Sequence, residues 1–433
     1  MCTHVRMAAA AAAIMFLPLS SGAQIAAPPP HGITHRIQPD TLLVRLTGEA
    51  VAANPGLQAR RASARAAAKR VAPAGALPDP MLSVGVMDLT LPRFAFRESD
   101  FTEVDLEVSQ DFPWPGSLGA RTQVARAQAR GAAAGVAARR REIVVRTAEL
   151  YYRLRYIVTA RASLQRQRRL LATAVEIATA RYASTSAPQS DPLQARVAVA
   201  RLDAEDADWA EQQARAGAEL KALRSVRGRE SLTIELIRPE TVPLGPHGEH
   251  SGAAFIPDSL PAHPRLTARR ASVEAAEQTA RVEQHAARPD FNITTRYGAR
   301  PLGSDFFSAF LGIRVPLWGG RKLASAARAD AEAARAELAE ETVSLEAELA
   351  AAHAAVGGGE TRLRLLTTQV IPSAWATVEA VLRSYRVGQA PFLNVLAAED
   401  SFYRAEVEAA MVAAEHLTHL VMLEQLLLTE DTP

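Results

Sequence analysis

The stretch FTEVDLEVSQDFPWPG, Phe101 to Gly116, alternates acidic and apolar residues and then meets two prolines. Glu103, Asp105 and Glu107 take every second position, with valine or leucine between them. A period of two is typical of a β-strand with two chemically different faces. Proline lacks the N–H that a strand ladder needs, so pairing is expected to end at Pro113. A run of about ten residues has the length of a tilted strand that crosses a membrane.

The same signals return about 200 residues later along the chain. Four motifs of the first half have a similar motif in the second half. FPWPG corresponds to VPLWGG (Val315–Gly320), and RYASTSAP (Arg181–Pro188) corresponds to SYRVGQAP (Ser384–Pro391). LPDP (Leu77–Pro80) corresponds to RPDF (Arg288–Phe291), and NPGLQARRAS (Asn54–Ser63) corresponds to HPRLTARRAS (His263–Ser272). The first two pairs share an offset of 203 positions, and the PD pair is offset by 211. Four landmarks in the same order indicate a duplicated structural unit.

Each unit is expected to hold one β-hairpin and one long helical hairpin. Alternation predicts strands at about 81–89 and 101–112, and at about 291–300 and 306–315, with turns near 93–100 and 301–305. Apolar residues at spacings of three and four predict helical hairpins at about 117–227 and 320–428, with tips near 183–191 and 386–394. Gly357–Gly359 and Pro372 argue against an unbroken rod in the second hairpin.

The remaining segments complete the organisation. Residues 1–23 carry a positive charge, a short apolar run and small residues, which is the pattern of a secretory signal peptide cleaved near Ala23. The only cysteine, Cys2, lies in this segment, so the mature chain is expected to lack disulfides. The first repeat is placed at 24–227, a Pro- and Gly-rich connector at 228–262, and the second repeat at 263–433.

Charge and motifs argue against several functional classes. The chain has 49 Lys and Arg against 47 Asp and Glu, and this balance argues against a nucleic-acid partner. It contains no G-x-S-x-G, HExxH or phosphate-loop motif, so an enzyme is not expected. The pairs His247/His250 and His416/His419 have no evident third ligand, so neither a metal nor a cofactor is predicted.

Four strands are too few to close a membrane barrel, and open strand edges are not tolerated in lipid. Three chains would supply twelve strands, and their long helices would bury their apolar stripes against one another. The predicted fold is therefore mainly α with a membrane β-barrel contribution, in a homo-oligomer that shares one strand barrel above one α-helical barrel. The rival interpretation is a periplasmic coiled-coil scaffold or adaptor, which has no use for lipid-facing strands.

The motifs LPDP, DFPWPG and VPLWGG, together with Tyr385-Arg-Val-Gly388 and Asn394-Val-Leu-Ala-Ala398, resemble those of the TolC-type outer-membrane efflux channels. The PDP and FPWPG wording is most similar to the heavy-metal, CusC- and CzcC-like branch. The resemblance implies a homotrimer with a 12-stranded barrel in the outer membrane of a Gram-negative bacterium, above an α-helical barrel in the periplasm. It also implies docking on a periplasmic adaptor (a membrane fusion protein) fed by an inner-membrane RND-type pump. The implied function is a passive exit duct for heavy-metal cations, with drugs, organic compounds or secreted protein as the alternative cargo.

The resemblance also implies roles for particular residues. The periplasmic tip and gate would comprise Tyr182, Asp191, Tyr385 and Asn394; the adaptor-docking turn Val387, Gly388 and Gln389; and the barrel-to-tunnel transition Pro113, Pro115, Gly116, Pro316 and Gly319. Asn394 and Ala397 stand where the family commonly has acids. Ordinary helix ends are the alternative, with Asp191 as an N-cap before Pro192 and Gly388 as a helix-ending glycine.

Two further groups have open interpretations. Glu103, Asp105 and Glu107 are candidate lumen acids, which in a trimer would give nine carboxylates and favour cations, although any barrel lumen is polar. Trp114 and Trp318 fit an aromatic belt at the lipid–water boundary, and ordinary packing tryptophans are the alternative.

Overall fold

The computed structural model describes residues 40–88, 97, 101–228, 230, 232–244 and 260–428. The signal segment 1–23, most of the turn at 93–100 and the pair His247/His250 lie outside these residues. The helices are α1 (Thr41–Ala53), α2 (Pro55–Ala74), α3 (Ser117–Ala183), α4 (Ser190–Leu223), α5 (Pro264–Ala286), α6 (Gly320–Leu365), α7 (Ile371–Arg386) and α8 (Phe392–Leu427). The strands are β1 (Met81–Met87), β2 (Glu103–Phe112), β3 (Asp290–Ala299) and β4 (Phe306–Arg314). The predicted fold class, mainly helical with a small sheet built from hairpins, is confirmed.

Each repeat enters its first packed helix through a capping residue followed by proline. Asn54 Oδ1 accepts a hydrogen bond from the Leu57 amide at 3.1 Å at the start of α2, and His263 Nδ1 accepts one from the Arg265 amide at 3.3 Å at the start of α5. Proline follows both caps and is tolerated there because the first helical N–H has no intrahelical partner. The repeated NPGL and HPRL wording therefore marks equivalent helix starts. The preceding helix α1 contacts α3 and is an element that the sequence pattern did not delineate.

The two long helices have equal length and the same offset as the sequence motifs. Helix α3 runs for 67 residues, which corresponds to about 100 Å at 1.5 Å per residue. Helix α6, a π-helical segment (Leu366–Val370) and α7 follow one another without a gap from Gly320 to Arg386, and both ends lie 203 positions after those of α3. Gly357–Gly359 do not break α6, which corrects the expected interruption there. At Pro372, which cannot donate a backbone hydrogen bond, the preceding π-helical segment accommodates the change in pairing.

The helices bury apolar residues close to the tip, where the two repeats meet. One cluster joins α3, α4, α7 and α8; its buried members include Leu171, Leu202, Tyr385, Phe392 and Tyr403. Much of the helical contact elsewhere is alanine, which lets helices approach closely. Among the described residues, no helix combines the length and apolar character needed to cross a bilayer.

The strands form one antiparallel sheet in the order β1-β2-β3-β4. The hairpin β1–β2 comes from the first repeat and β3–β4 from the second, so the β2–β3 pairing joins the repeats. One face is apolar and exposed; it includes Leu82, Val84, Val86, Val104, Leu106, Val108, Ile293, Tyr297, Phe307, Leu311 and Ile313. The opposite face carries the acids of β2 and the arginines of β3. Strands β1 and β4 are the edges of the sheet in the described part of the chain.

Strand β1 ends two residues before its predicted end, and β2 begins two residues after its predicted start. Asp88 adopts a left-handed conformation, with a φ of 52°, which turns the chain out of the strand. The Thr102 hydroxyl donates to the Asp88 carbonyl at 2.8 Å, and this bond closes the hairpin ladder at that end.

Candidate functional site

A buried tyrosine joins the two repeats at the tip. Tyr385 near the end of α7 is 1% exposed, and its hydroxyl donates to Asp191 Oδ2 at 3.1 Å. Asp191 lies in the first turn of α4 and is also buried. Because α4 begins at Ser190 with Gln189 as its N-cap, the N-cap interpretation of Asp191 is wrong; its carboxylate accepts from a hydroxyl 194 positions away. Two of the four residues assigned to the tip are thus brought together.

Arg181 completes this tip link, defined here as Arg181, Asp191 and Tyr385. Its guanidinium carbon lies 4.6 Å from the centre of the Tyr385 ring, within range of a cation–π interaction. One guanidinium nitrogen donates to the Tyr385 carbonyl, and the other donates to the Ser186 carbonyl at 3.0 Å. A single arginine of the first repeat therefore holds the turns of both repeats. Arg181 was not predicted from the sequence, because a stacking arginine has no local sequence signal.

The electrostatics of the tip link favour a neutral tyrosine. Burial raises the pKa of Tyr385 to about 12, and its hydrogen bond to Asp191 acts in the same direction. The nearby positive charge of Arg181 opposes this shift. The Tyr385 hydroxyl consequently remains a proton donor to the carboxylate across the physiological pH range.

The turns at the two tips share one backbone geometry. In the second repeat the Gln389 amide donates to the Ser384 carbonyl at 2.9 Å, and in the first the Ser186 amide donates to the Arg181 carbonyl at 2.8 Å. Both are six-residue helix-ending turns with a left-handed residue. That residue is Gly388 with a φ of 81° in one turn and Thr185 with a φ of 59° in the other. The helix-ending role of Gly388 is therefore part of the observed geometry.

The other residues assigned to the tip lie at the surface of the single chain. Tyr182 is 43% exposed and Asn394 is exposed. Val387, Gly388 and Gln389 are exposed as well. These residues are free to meet other molecules, and the tip link does not include them.

The transition from sheet to long helix is fixed by a contact between the repeats. The Trp114 amide donates to Asp290 Oδ1 at 2.8 Å. The Trp114 ring stacks on Phe291 with 6.2 Å between centroids, and Arg288 lies 5.4 Å from its centre. The aspartate of the second PD motif thus binds the backbone of the first FPWPG motif. Trp114 packs as an ordinary half-buried tryptophan here, while Trp318 is 89% exposed.

Glycine is required where each long helix begins. Gly116 precedes α3 with a φ of 93°, and Gly319 precedes α6 with a φ of 84°. Residues with a Cβ rarely adopt this left-handed conformation. Pro113 and Pro316 lie three residues before these glycines, and Pro115 precedes Gly116 directly. The residues assigned to the transition accordingly lie together between strand and helix.

Two of the three candidate lumen acids are neutralised within the chain. Arg296 Nη2 lies 2.5 Å from Glu103 Oε1 and 2.7 Å from Asp105 Oδ2, and its Nε donates to Asp105 Oδ1 at 2.8 Å. Arg300 Nε lies 3.1 Å from Glu103 Oε2. Both acids are buried, whereas Glu107 is half-buried. The negative charge predicted for this face from β2 alone was therefore too high, because Arg296 of β3 and the adjacent Arg300 balance two of the acids.

An aromatic ring covers the backbone beside this ion-pair cluster. Gly298 pairs with Phe306 across the β3–β4 ladder. A Cβ on Gly298 would lie 2.1 Å from a ring carbon of Phe306, so the ring occupies the space above the glycine. Arg300 stacks on the same ring at 4.7 Å. Phe306 thereby shields the backbone of β3 and holds Arg300 close to Glu103.

The comparisons with known proteins agree with this geometry. Residues 255–427 match the family model for outer membrane efflux protein. A comparison with curated proteins gave no significant match.

Solved outer-membrane channels have the same fold as this chain. The channel CusC superposes with a TM-score of 0.75 at 14% identity, covering 89% of this chain and 91% of that one. VceC of Vibrio cholerae gives 0.72 at 20% identity, covering 89% and 96%. The open state of the Neisseria gonorrhoeae channel MtrE gives 0.70 at 18% identity, covering 89% and 88%. At these identities the likeness establishes the fold.

Proposed function

We propose that the chain is the outer-membrane exit duct of a tripartite efflux system, working as a homotrimer. The observation that carries the proposal is the exposed apolar face of the sheet joined to long helices, of which α3 extends for about 100 Å. A face of valine, leucine, isoleucine and aromatic side chains is costly in water and suited to lipid. The family match over residues 255–427 and the fold of solved outer-membrane channels support the same conclusion.

In this proposal the tip link holds the periplasmic end of the duct closed. Tyr385 lies on the long helix of one repeat and Asp191 on the returning helix of the other, so separating the helical hairpins must break their bond. The exposed turn Val387–Gln389 is the surface that we propose for the periplasmic adaptor, with an inner-membrane RND-type pump behind it.

We propose heavy-metal cations as the cargo, because the PDP and FPWPG motifs are most similar to those of the heavy-metal efflux branch. Among the described residues, no group of three or more His, Cys, Asp or Glu side chains is placed to hold a metal ion. A passive duct needs no such group, because the pump would select the cargo. The ion pairs of Arg296 with Glu103 and Asp105 favour a wall that passes ions without holding them.

The test is current through the purified trimer in a planar bilayer. We expect small, stepwise currents from the native protein and a rise of roughly tenfold or more in Asp191→Ala, because a buried charged hydrogen bond is lost in each protomer. Asn394→Ala is the matched control: it changes the equivalent exposed position and should leave the current unchanged. A folded trimer without current would overturn the proposal. Equal current in Asp191→Ala and native protein would remove the gate and leave the duct.

A further inference from the structure

The internal repeat supplies a template for contacts that a single chain cannot make. Within the chain, β2 of the first repeat pairs with β3 of the second, and this junction is completed by the bond from the Trp114 amide to Asp290. The outer edges, β4 and β1, are the repeat equivalents of β2 and β3. We propose that β4 of one copy pairs with β1 of the next in the register that this template dictates. The inference rests on the proposed trimer and adds the residue-level register of the contact, called the copy–copy seam below.

The register follows from the offsets of the repeat. Phe112 pairs with Phe291 at the internal junction. The 203-residue offset carries Phe112 to Val315, and the 211-residue offset carries Phe291 to Pro80. Continuing along both strands, Ile313 lies opposite Leu82 of the neighbouring copy, Leu311 opposite Val84 and Ala309 opposite Val86.

The faces of the two edge strands provide an independent check on this register. Leu82 and Val84 are 65% and 72% exposed, and Leu311 and Ile313 are 68% and 56% exposed, all on the apolar face of the sheet. The proposed register matches apolar with apolar at every one of these positions. A shift of one residue would turn one strand's apolar side chains to the polar face, because successive strand residues point to opposite faces.

The polar face gives a second check, through an aromatic–glycine pair. The proposed register puts Phe310 opposite Gly85 of the next copy. Phe310 is 57% exposed, and nothing lies within 4 Å of the place where a Cβ on Gly85 would be. At the internal hairpin the Phe306 ring fills the space above Gly298. Phe310 has the same open glycine to cover, but across the copy–copy seam.

The same two offsets, 203 and 211 residues, assign a partner to the aspartate of the first PD motif. Asp290 maps to Asp79, and Trp114 maps to Leu317. Asp79 is exposed and Leu317 is 72% exposed within the single chain. We therefore assign the Asp79 carboxylate as the acceptor of the Leu317 amide of the neighbouring copy, as Asp290 accepts from Trp114.

Paired cysteines test the register in the full-length protein. Directly opposite residues on antiparallel strands have Cα atoms about 4.5–5.5 Å apart, within reach of a disulfide. A two-residue shift puts them at roughly 8 Å, which is too far. The pair Leu82→Cys with Ile313→Cys should give covalent dimers and trimers on oxidation. The control pair Val84→Cys with Ile313→Cys keeps the same face and should give none.

These outcomes separate the register from the function. Cross-linking by the control pair alone would overturn the proposed register. No cross-linking by either pair in trimers that conduct would overturn the copy–copy seam and leave the duct. A protein that neither cross-links nor conducts would overturn both. The positions lie on the exposed face, so the folded state tolerates the substitutions.

Asp79→Ala gives a second, independent measurement. It should lower the temperature at which the trimer dissociates in detergent, because an amide at each copy–copy seam loses its acceptor. An unchanged dissociation temperature would overturn the assignment of Asp79.

Discussion

The junction between the repeats contains ion pairs, whereas the residues equivalent to its ion-paired side chains on the edge strands are uncharged. At the internal junction, Arg296 binds Glu103 and Asp105, and at the tip Arg181 stacks on the tyrosine that binds Asp191. On the edge strands, the equivalent of Glu103 is Phe306, that of Asp105 is Ser308 and that of Arg296 is Gly85, while Arg314 at the end of β4 is charged. At the tip, the equivalents of Arg181 and Asp191 are Ser384 and Asn394.

This difference shows that the two halves of a duplicated chain can keep equivalent positions and still form contacts of different strength. Tyrosine is kept at both matched positions, Tyr182 and Tyr385, while the charged partners of the tip link come only from the first repeat. The chain thus stabilises the contact that forms within one molecule more strongly than the equivalent surface that it leaves open.

The largest effect is expected when the tyrosine hydroxyl is removed from one tip and then, separately, from the other. Tyr385→Phe deletes the donor to Asp191, and a hydrogen bond to a charged group contributes about 1.5–3 kcal/mol per protomer. We expect the open-channel current of the trimer to rise by roughly tenfold or more. Tyr182→Phe deletes the exposed counterpart and should change little. Equal effects of the two variants in bilayer recordings would show that the tips are functionally equivalent.

The second comparison concerns the helix caps, where Asn54 has His263 as its counterpart. Burial lowers the pKa of His263 to about 4, with the positive charges of Arg141 and Arg265 acting in the same direction. An unfolded histidine titrates near 6.5, so the unfolded chain takes up a proton between pH 6.5 and about 4 that the folded chain refuses. The contribution of His263 to stability should therefore fall as the pH falls through this window, by on the order of 3 kcal/mol, with no further loss from this residue below it.

The measurement is the unfolding midpoint of the detergent-solubilised protein at several pH values. His263→Asn copies the cap of the first repeat and should flatten the pH dependence between 6.5 and 4. Retention of the full dependence in this variant would assign it to other groups.

A smaller effect should separate the two tip turns. Gly388→Ala places a Cβ in a left-handed conformation and 3.3 Å from Arg181 Nη2, and we expect a loss of about 1–2 kcal/mol. Thr185→Gly relieves the same conformation in the first repeat and should gain about 0.5–1 kcal/mol. Thermal unfolding of both variants checks the opposite signs; a loss in Thr185→Gly would show that the threonine side chain matters more than the backbone.

The smallest change is expected at the charged wall. Arg296→Gln uncovers Glu103 and Asp105, and the ratio of potassium to chloride permeability should rise on the order of twofold at 0.1 M salt, where screening acts over about 10 Å. The rise should fade at 1 M salt, where the screening length is about 3 Å. Restoring the charge balance with Arg296→Gln and Asp105→Asn together should return the native ratio. No change in the single variant would mean that permeating ions do not pass this face.

Local sequence patterns predicted the strands and helices, but they did not predict the contacts between side chains far apart in the chain. Alternation placed the strands to within two residues, and the 203-residue offset of the motifs reappears in the ends of the long helices. Proline and glycine marked the transitions because their backbone limits are intrinsic to the residue. The neutralisation of Glu103 could not be predicted from β2 alone, since its partners Arg296 and Arg300 lie 193 and 197 positions away.

The tip shows the same limit. Asp191 before Pro192 has the sequence of a helix cap, and only the folded chain brings the Tyr385 hydroxyl to it. Strand register and helix packing decide such contacts, and neither is encoded by a short stretch of sequence. Arg296 lies in β3, the strand that pairs with β2, and Arg300 follows β3 directly, so a search for basic residues in and just after the partner strand would have found both.

The ring of Phe306 above Gly298 has an evolutionary consequence. A side chain at position 298 would collide with the ring, and a smaller residue at 306 would uncover the backbone, so neither position can change freely without the other. Related sequences should therefore show linked substitutions at 298 and 306. Linked substitutions at 85 and 310 would be the corresponding sign of the proposed contact between two copies of the chain.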